Sequence, residues 1–272
     1  MSAKTSSSSP RSRRFRCLEI PIEPGRAESV AARHAGIPGF DQKIYSQSKV
    51  TLVGAGGING ENGEGFVRKG IGHLDIFDGD DVELSNLNRQ RFTQKDIGRN
   101  KAIGLARNLV REGYMRTTLN AYPFFFQEAL EKGTIPETDL IVCGVDNEET
   151  RIFVSRYAIK NKLPVIFSAV SRDANQGYAF IQEPGKACFG CAFPNAISNQ
   201  ATPCPNTPAI KDILKIVSGL TLYAADTILV SRKRDWNFRM IYLAGYVPDK
   251  NRWIGRNPEC LLCSVRELEN HE

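Results

Sequence analysis

The feature that most constrains this chain is a glycine-rich turn placed directly after a short apolar strand. Residues 49–53 (KVTLV) are mostly β-branched or apolar, and the chain continues as GAGGING over residues 54–60. Glycines between a strand and a helix permit a tight turn and let backbone N–H groups approach a phosphate at the helix N-terminus. The junction predicts a nucleotide-binding βαβ unit, and a plain strand–helix turn is the alternative.

Apolar runs and helical periodicities alternate along the next hundred residues. Strands are predicted at 49–53, 73–77, 118–122, 139–143 and 164–169, with helices at 58–70, 98–112, 126–132 and 148–161. This alternation is typical of a parallel sheet with helical crossovers. Beyond residue 170 the pattern changes, with strands predicted at 177–182 and 239–246, a long helix at 207–232 and an irregular stretch at 183–206. The predicted fold class is α/β, a Rossmann-like, mostly parallel sheet extended by antiparallel strands.

Two acids follow predicted strands at the edge where open parallel sheets bind ligands. Asp78 follows the strand 73–77, about 20 residues beyond the glycines, where a carboxylate can accept hydrogen bonds from ribose hydroxyls. Asp146 follows the strand 139–143. A carboxylate among triphosphate oxygens needs a bridging cation, so Asp146 implies Mg²⁺. The alternative is that Asp146 and Asn147 cap the next helix, and both roles are compatible.

Polar and cationic side chains come after Asp78, in the segment DGDDVELSNLNRQ and beyond it: Asn86, Arg89, Gln90 and Lys101. Attack on the α-phosphate of ATP builds negative charge that Arg and Lys can neutralise. A hydride-transfer enzyme needs few cations near the centre of its cofactor. The set therefore favours ATP chemistry over a NAD-binding oxidoreductase, and isolated solvated charges are the other alternative.

Four of the seven cysteines form two Cys-x-x-Cys pairs, Cys188 with Cys191 and Cys260 with Cys263. Two such pairs can supply the four thiolates of a tetrahedral structural zinc site, and redox pairs are the alternative. Since 68 residues separate the pairs, zinc would join two distant segments of the chain.

Cys204 lies between two prolines in a polar loop, just before the predicted helix 207–232. An exposed thiol with cationic or helix-terminal neighbours acquires a lowered pKa and becomes a nucleophile. Cys204 is therefore a candidate nucleophile, whereas Cys17 and Cys143 are interpreted as inert packing.

The positive charge is concentrated at the N-terminus. The chain has a formal net charge of +6, and residues 1–16 contain five of its cations and no acid. A basic, Ser-rich tail over residues 1–30 is predicted to be disordered, and nucleic-acid binding is not expected. No apolar run is long enough to span a bilayer and no secretory signal is visible. The expectation is a cytoplasmic protein without membrane contact.

From about Arg33 to the last Cys-x-x-Cys, the chain resembles the ThiF/MoeB/HesA family of ubiquitin-activating-like adenylyltransferases. The matching motifs, in the order of the family, are GAGGING, DGDDVELSNLNRQ, Lys101, CGVDN and the paired Cys-x-x-Cys. The resemblance implies one adenylation domain over residues 31–272. Its nucleotide-binding part would cover about 49–170, and a crossover loop, the zinc site and the C-terminal part would cover about 171–272.

The resemblance also implies a role for each candidate residue. The nucleotide loop would be formed by Gly54, Gly56 and Gly57, with Asp78 on the ribose, Asn86, Arg89, Gln90 and Lys101 around the phosphates, and Asp146 on Mg²⁺. Arg33 would be the arginine finger that reaches into the site of a partner subunit, which makes a homodimer necessary. Cys204 would be the loop cysteine that forms a thioester or a persulfide-linked intermediate.

The implied reaction is ATP-dependent adenylation of the C-terminal carboxylate of a ubiquitin-like protein. Conjugation through a Cys204 thioester, as in bacterial ubiquitin-like operons, some linked to phage defence, is one expected fate. Activation of a sulfur carrier for thiamine, molybdopterin or tRNA thiolation is the alternative. With no rhodanese-like or ubiquitin-fold domain in the chain, a separate conjugating enzyme or sulfurtransferase is expected.

The chain departs from the family pattern in and after the glycine loop. Asn59 stands where a glycine is expected, and Gly60, Gly63 and Gly65 lower the propensity of the following helix. These departures are expected to loosen or reshape nucleotide binding, and they leave a catalytically silent scaffold as an alternative.

Overall fold

The computed structural model describes residues 15–21, 26–198 and 208–264. In this part of the chain nine strands form a single sheet. Numbered in chain order, they are β1 (Arg16–Ile20), β2 (Lys49–Val53), β3 (His73–Phe77), β4 (Thr117–Tyr122), β5 (Leu140–Cys143), β6 (Val165–Val170), β7 (Gln176–Gln182), β8 (Phe238–Tyr242) and β9 (Lys250–Arg252).

Nine α-helices accompany the strands in the described residues. They are α1 (Arg26–Ala31), α2 (Gln42–Tyr45), α3 (Gly57–Arg68), α4 (Lys101–Leu109), α5 (Phe126–Glu131), α6 (Glu148–Asn161), α7 (Phe189–Ala192), α8 (Pro194–Ser198) and α9 (Lys211–Leu229). None of them is long and apolar enough to cross a membrane.

The strand order is β1-β4-β3-β2-β5-β6-β7-β8-β9. The five strands from β4 to β6 in this order are parallel, and β1, β7, β8 and β9 are antiparallel to their neighbours. The predicted fold class is confirmed. After β2 the chain builds outward on one side through β3 and β4, and then returns to add β5 and β6 on the other side. The carboxyl ends of β2 and β5 therefore flank a topological switch point, where open α/β sheets bind ligands.

Alternate residues of the buried strands supply two cores, one on each face of the sheet. On one face Leu52 and Val142 pack with side chains of α3, α4 and α9. On the other face Val53 and Ile141 pack with side chains of α5, α6 and α7. Both faces of the parallel strands are covered, which explains why these strands are nearly continuous apolar runs.

The glycines of α3 allow close packing against neighbouring elements. A Cβ at Gly57 would lie 2.5 Å from Leu214 Cδ1 of α9, and one at Gly63 would lie 2.9 Å from Leu109 Cδ1. Gly65 faces Leu222 of α9 at still closer range. The low helix propensity of this segment is therefore offset by tertiary packing, which generally supplies most of the stability of a helix in a protein.

The structure differs from the sequence-based expectation at the N-terminus. Within the predicted tail 1–30, Arg16–Ile20 form β1 and a helix begins at Arg26. Strand β1 pairs with β4, and Ile20 is buried in the core. The partner strand lies a hundred residues away in the sequence, so the local composition could not indicate it. The remaining tail residues, 1–14 and 22–25, lie outside the described residues.

Two C-terminal elements are shorter than predicted. The helix expected at 207–232 covers Lys211–Leu229, and it is followed by Ser231 with a left-handed φ of 62°. The strand expected at 239–246 ends at Tyr242, ahead of the turn containing Gly245 with φ 72°. In the stretch expected to be irregular, Phe189–Ala192 and Pro194–Ser198 form short helices.

Candidate functional site

A cavity of about 660 Å³ opens at the carboxyl edge of the parallel strands. Its walls come from the loops after β2, β3, β5 and β6, from α6 and from the start of α9. Eight of the predicted site residues line it: Gly54, Gly56, Gly57, Asp78, Arg89, Gln90, Lys101 and Asp146. The topology thus gathers residues from separate motifs around one space.

The glycine loop turns sharply where β2 ends. Gly54 has φ 89°, a conformation that favours glycine, and its N–H donates to Phe77 O at 2.8 Å. Gly56 is the N-cap of α3, and a Cβ there would meet open space. Gly56, Gly57 and Ile58 line the cavity, so the N-terminus of α3 faces it with the positive end of a helix dipole, which is suited to a phosphate.

Asn59 fastens this loop to the neighbouring strand. Its side chain is fully buried, and Nδ2 donates to Val53 O at 2.8 Å and to Gly54 O at 2.9 Å. A longer contact of 3.4 Å reaches Val142 O on β5. Asn59 Oδ1 accepts from Asn62 Nδ2 at 3.0 Å. The residue that departs from the glycine pattern thus fills its space and satisfies backbone carbonyls at the end of β2.

Asp78 is buried at the end of β3 and accepts two backbone hydrogen bonds. Ala55 N–H donates to Oδ2 at 2.7 Å and Asp80 N–H donates to Oδ1 at 2.9 Å. Burial raises the pKa of Asp78 to about 6, against the opposing effect of the Lys101 charge. The carboxylate connects the glycine loop to the loop after β3 and borders the cavity.

Lys101 enters the site because the start of α4 docks on the loop after β3. Asn100 Nδ2 donates to Asp78 O at 2.8 Å and Asp80 O at 2.9 Å, and Lys101 N–H donates to Asp80 O at 2.8 Å. Lys101 Nζ lies 2.8 Å from Asp80 Oδ2. Burial lowers the pKa of Lys101, but the negative charges of Asp78, Asp80 and Asp146 outweigh it and the pKa is raised. The site therefore holds a charged ammonium group.

The loop that carries Arg89 supplies two residues to the cavity wall and turns one away from it. Arg89 and Gln90 line the cavity, and Arg89 Nη1 donates to Ser85 O at 2.8 Å. Asn86 is buried, and its Oδ1 accepts from Glu83 N–H at 3.0 Å in a capping box. In this arrangement Asn86 shapes the loop and is not among the cavity-lining residues of the described chain.

Asp146 is exposed on the cavity wall, directly before α6. Asn147 is the N-cap of α6, and its Oδ1 accepts from Thr150 N–H at 2.8 Å. The capping role expected for this pair therefore belongs to Asn147, and Asp146 lines the cavity.

Asp80 and Arg151 are among the cavity-lining residues that were not predicted as site residues. Arg151 is only 9% exposed; its Nη2 donates to Val145 O at 2.6 Å, and its Nε is buried without a partner among the described residues. The sequence did contain signals for both residues: Asp80 is the second acid of DGD, and Arg151 is a cation near the start of the helix that follows Asp146.

The four cysteines of the two pairs meet in one cluster. All their Sγ atoms lie within 4.8 Å of one another, and three Sγ pairs are separated by 3.8, 3.5 and 3.6 Å. A tetrahedral zinc with Zn–S bonds of about 2.3 Å places its sulfurs about 3.8 Å apart. Backbone N–H groups of Asn257 and Leu262 donate to Cys191 Sγ and Cys260 Sγ. The cluster can therefore hold zinc.

The pKa values of two thiols in this cluster are shifted in opposite directions. Hydrogen bonding from Cys188 lowers the pKa of Cys263, and the same contact together with burial raises the pKa of Cys188. Phe189, next to Cys188, lines the cavity. The cluster thus connects the C-terminal segment to one wall of the site.

Two predicted residues stand apart from the cavity. Arg33 is exposed on a 3₁₀ turn (Ala32–His34), where it is not among the cavity-lining residues of the described chain. Cys204 lies outside the described residues. The predicted roles of both residues stay predictions.

Comparison with known proteins identifies the family. The model of the ThiF family matches residues 29–253. Ubiquitin-like modifier-activating enzyme 5 of Drosophila willistoni is 34% identical over 170 residues, which cover 58% of this chain and 42% of that protein. The same enzyme of Aedes aegypti is 32% identical over 182 residues, covering 62% and 45%. The chain thus matches less than half the length of these relatives.

Solved structures share the fold. E. coli MccB with AMPCPP and MccA has a TM-score of 0.72 at 19% identity, covering 89% of this chain and 77% of that one. PaaA has a TM-score of 0.66 at 17% identity, covering 87% and 76%. The family model spans most of the sequence and the sheet is shared, so this chain belongs to the ThiF family.

Proposed function

We propose that this chain binds ATP in the cavity and adenylates the C-terminal carboxylate of a ubiquitin-like protein. One observation carries the proposal: Lys101, Arg89, Asp78 and Asp146 border the same cavity as the glycine loop, at the switch point of the sheet. The family provides the reaction type, and the names of the relatives at 32–34% identity favour a ubiquitin-like substrate.

In the proposed reaction a carboxylate oxygen of the substrate attacks the α-phosphorus of ATP. An acyl-phosphate bond forms, the bond from the α-phosphorus to the bridging oxygen breaks, and pyrophosphate leaves with the electron pair. The carboxylate is already ionised at neutral pH, so the enzyme has to position the reactants and neutralise charge. Gly54, Gly56 and Gly57 would hold phosphate, and Asp78 would accept from the ribose.

The cations are suited to the charge that develops in this step. Lys101 keeps its proton because three carboxylates surround it. Lys101 and Arg89 would stabilise the transition state and the leaving pyrophosphate, and Gln90 would contribute a neutral contact. Asn86 would act on the phosphates through the shape of its loop, since its amide oxygen is engaged with Glu83.

Asp146 and Asp80 fit a magnesium ion by their chemistry, since both are carboxylates on the cavity wall and Asp146 is exposed there. Magnesium binds phosphate oxygens through one or two protein carboxylates and would neutralise charge on the triphosphate. The residue we assign to it is Asp146, because Asp80 is paired with Lys101.

Cys204 would take the acyl group after adenylation. Its thiolate would attack the acyl carbon, a thioester would form, and AMP would leave, with the thiol proton passing to solvent. Transfer to a conjugating enzyme would follow. The alternative is sulfur transfer to a carrier for thiamine, molybdopterin or tRNA thiolation. A role in bacterial ubiquitin-like conjugation or antiphage defence stays a prediction that the neighbouring genes would test.

Arg33 would act in the site of a second subunit, which makes the working form a homodimer. Arg33 is exposed and stands apart from the cavity of its own chain, as such a role requires. Mixing Arg33→Ala with Asp146→Ala subunits would test this, because a mixed dimer would regain one intact composite site. A monomer with full activity would refute the role.

A NAD-binding oxidoreductase would share the glycine loop and Asp78. The charged Lys101, the lining of the same cavity by Arg89 and the membership in the ThiF family favour adenylation instead. A catalytically silent scaffold was suggested by Asn59. That suggestion is weakened because Asn59 secures the loop through its hydrogen bonds.

The test is ATP–pyrophosphate exchange with ubiquitin-fold proteins from the same genome, using wild type, Asp146→Ala, Cys204→Ala and Asp235→Asn. Asp235 is an exposed acid away from the cavity and serves as the control. We expect exchange that requires the carrier's C-terminus, is lost in Asp146→Ala, and persists in Cys204→Ala and Asp235→Asn. Absence of exchange with every carrier, from a folded and zinc-loaded protein, would favour the scaffold.

A further inference from the structure

One face of α3 lies directly against α9. Gly57, Glu61 and Gly65 are spaced four residues apart and therefore share a face of the helix. The glycines at both ends of this face approach leucines of α9, so the two helix backbones pack closely. Glu61 is the charged residue between them and is only 6% exposed.

Glu61 forms ion pairs with cations from two other elements. Its Oε1 contacts Lys211 Nζ, at the first residue of α9, and its Oε2 lies 3.3 Å from Arg91 Nη1. Lys211 Nζ also donates to Arg89 O at 3.3 Å. A carboxylate this deeply buried needs such partners, since an unpaired charge there would be costly.

The position of Lys211 supports a dedicated pairing. A cation in the first turn of a helix is opposed by the helix dipole, which favours acids at that end. Lys211 begins a 19-residue helix, so its ammonium group is unfavourable there unless a nearby acid compensates it. Glu61 is that acid.

The two elements held by Glu61 form different walls of the cavity. Arg89 and Gln90 belong to the loop that continues to Arg91, while Ala209 lies just before α9 and Leu214 lies near its start. We propose that Glu61 is a positioning residue. It holds the Arg89–Arg91 segment and the first turn of α9 in a fixed relation and thereby sets the position of Arg89 at the cavity. Its effect on catalysis rests on the proposed function, but its effect on α9 does not.

Glu61→Gln is the test variant, because glutamine preserves size and removes the charge. Glu64→Gln is the matched control: it lies on the same helix and pairs with Arg68, away from the cavity-lining residues. Lys211→Gln and the double variant Glu61→Gln with Lys211→Gln complete a cycle that measures the coupling of the pair.

Hydrogen exchange followed by mass spectrometry reads the first turn of α9 without any substrate. We expect Glu61→Gln to increase exchange in residues 214–218, whose N–H groups bond the carbonyls of the first turn, with residues 220–229 unchanged, and Glu64→Gln to match wild type. Hydrogen exchange in the double variant should be no faster than in the single variant that exchanges faster. Equal exchange in Glu61→Gln and wild type, or additive effects in the cycle, would overturn the proposal.

The kinetics of pyrophosphate exchange distinguish a role of Glu61 in positioning Arg89 from a purely structural role. We expect kcat to fall about tenfold in Glu61→Gln while KM for ATP changes by less than about threefold, since Asp78 and the glycine loop are untouched. An equal loss of thermal stability in Glu61→Gln and Glu64→Gln, with no kinetic difference between them, would reduce Glu61 to a structural contact. If no carrier supports exchange, the proposed function fails, and hydrogen exchange still decides the role of Glu61.

Discussion

Gly144 lies so close to Asn59 that a Cβ on Gly144 would be 2.6 Å from Asn59 Oδ1 and 2.7 Å from Asn59 Cγ. The asparagine amide is fixed by its bonds to Val53 O and Gly54 O, so it cannot simply rotate away. The end of β5 and the glycine loop after β2 are thus fitted to each other through one side chain.

Gly144→Ala should therefore destabilise the protein by about 1–3 kcal/mol through overpacking. In an Asn59→Gly background the same change should be tolerated, because the clashing amide is absent. Urea unfolding of the two single variants and the double variant measures the coupling. If the two substitutions changed the free energy of unfolding additively, close packing of Gly144 against Asn59 would be contradicted.

Asn59→Leu should destabilise the protein by about 1–3 kcal/mol, because Val53 O and Gly54 O would lose the hydrogen bonds of the buried amide, and Val53 O would keep that from Gly144 N–H. Asn161→Leu is the control, since Asn161 is exposed and donates to a single carbonyl. Chemical unfolding compares the two variants. An equally small loss of unfolding free energy in both variants would mean that the hydrogen bonds of Asn59 do not stabilise the loop.

Nucleoside binding should weaken as pH falls through about 6. The pKa of Asp78 is raised to about 6 by burial, and the ribose hydroxyls donate to the ionised carboxylate. Adenosine is the suitable probe because it carries no phosphate that titrates in this range. We expect its affinity to fall up to about tenfold per pH unit below 6. Asp78→Asn should bind weakly at every pH, and a flat wild-type profile would contradict the assignment.

The raised pKa of Asp78 also makes the stability of the nucleotide-free protein depend on pH. A folded pKa above the ordinary value of 3.8 means that the folded state binds this proton more tightly than the unfolded chain. The contribution of Asp78 to the free energy of unfolding therefore increases as pH falls from about 7 to 4. Asp78→Asn should remove this contribution, measured by urea unfolding across that range.

The cysteine cluster should carry one zinc ion per chain. Chelation or Cys260→Ser should remove the metal and lower the free energy of unfolding by several kcal/mol, since metal binding is coupled to folding. Cys17→Ser is the control, because Cys17 is exposed outside the cluster. Metal analysis and thermal unfolding give the measurement, and an unchanged melting temperature after complete metal loss would contradict a structural role.

Two helix glycines should respond oppositely to alanine. Gly219 is exposed in α9 with open space around it, so Gly219→Ala should stabilise the protein by about 1 kcal/mol. Gly65→Ala should lack this gain or destabilise, because its Cβ would collide with Leu222. Urea unfolding compares the pair, and an equal gain in both would show that α3 and α9 have room between them.

The sequence by itself determined the order of strands and helices in the parallel part of the fold. It also placed Asp78 and Asp146 at the carboxyl edge of the sheet. These features follow from local periodicity and from the rule that parallel strands end on one edge. The pairing of the two Cys-x-x-Cys motifs could also be predicted, because only sulfur chemistry was needed to propose it.

Only the tertiary structure decided what the unusual residues do. Asn59 secures the loop through carbonyls of β2 and β5, Lys101 reaches the site because Asn100 docks on the loop after β3, and the glycines of α3 make room for α9. Strand β1 likewise depends on a partner about a hundred residues away. The physical reason is common to all of them: neighbours in the chain set the local conformation, but contacts between distant segments are set by how the elements pack.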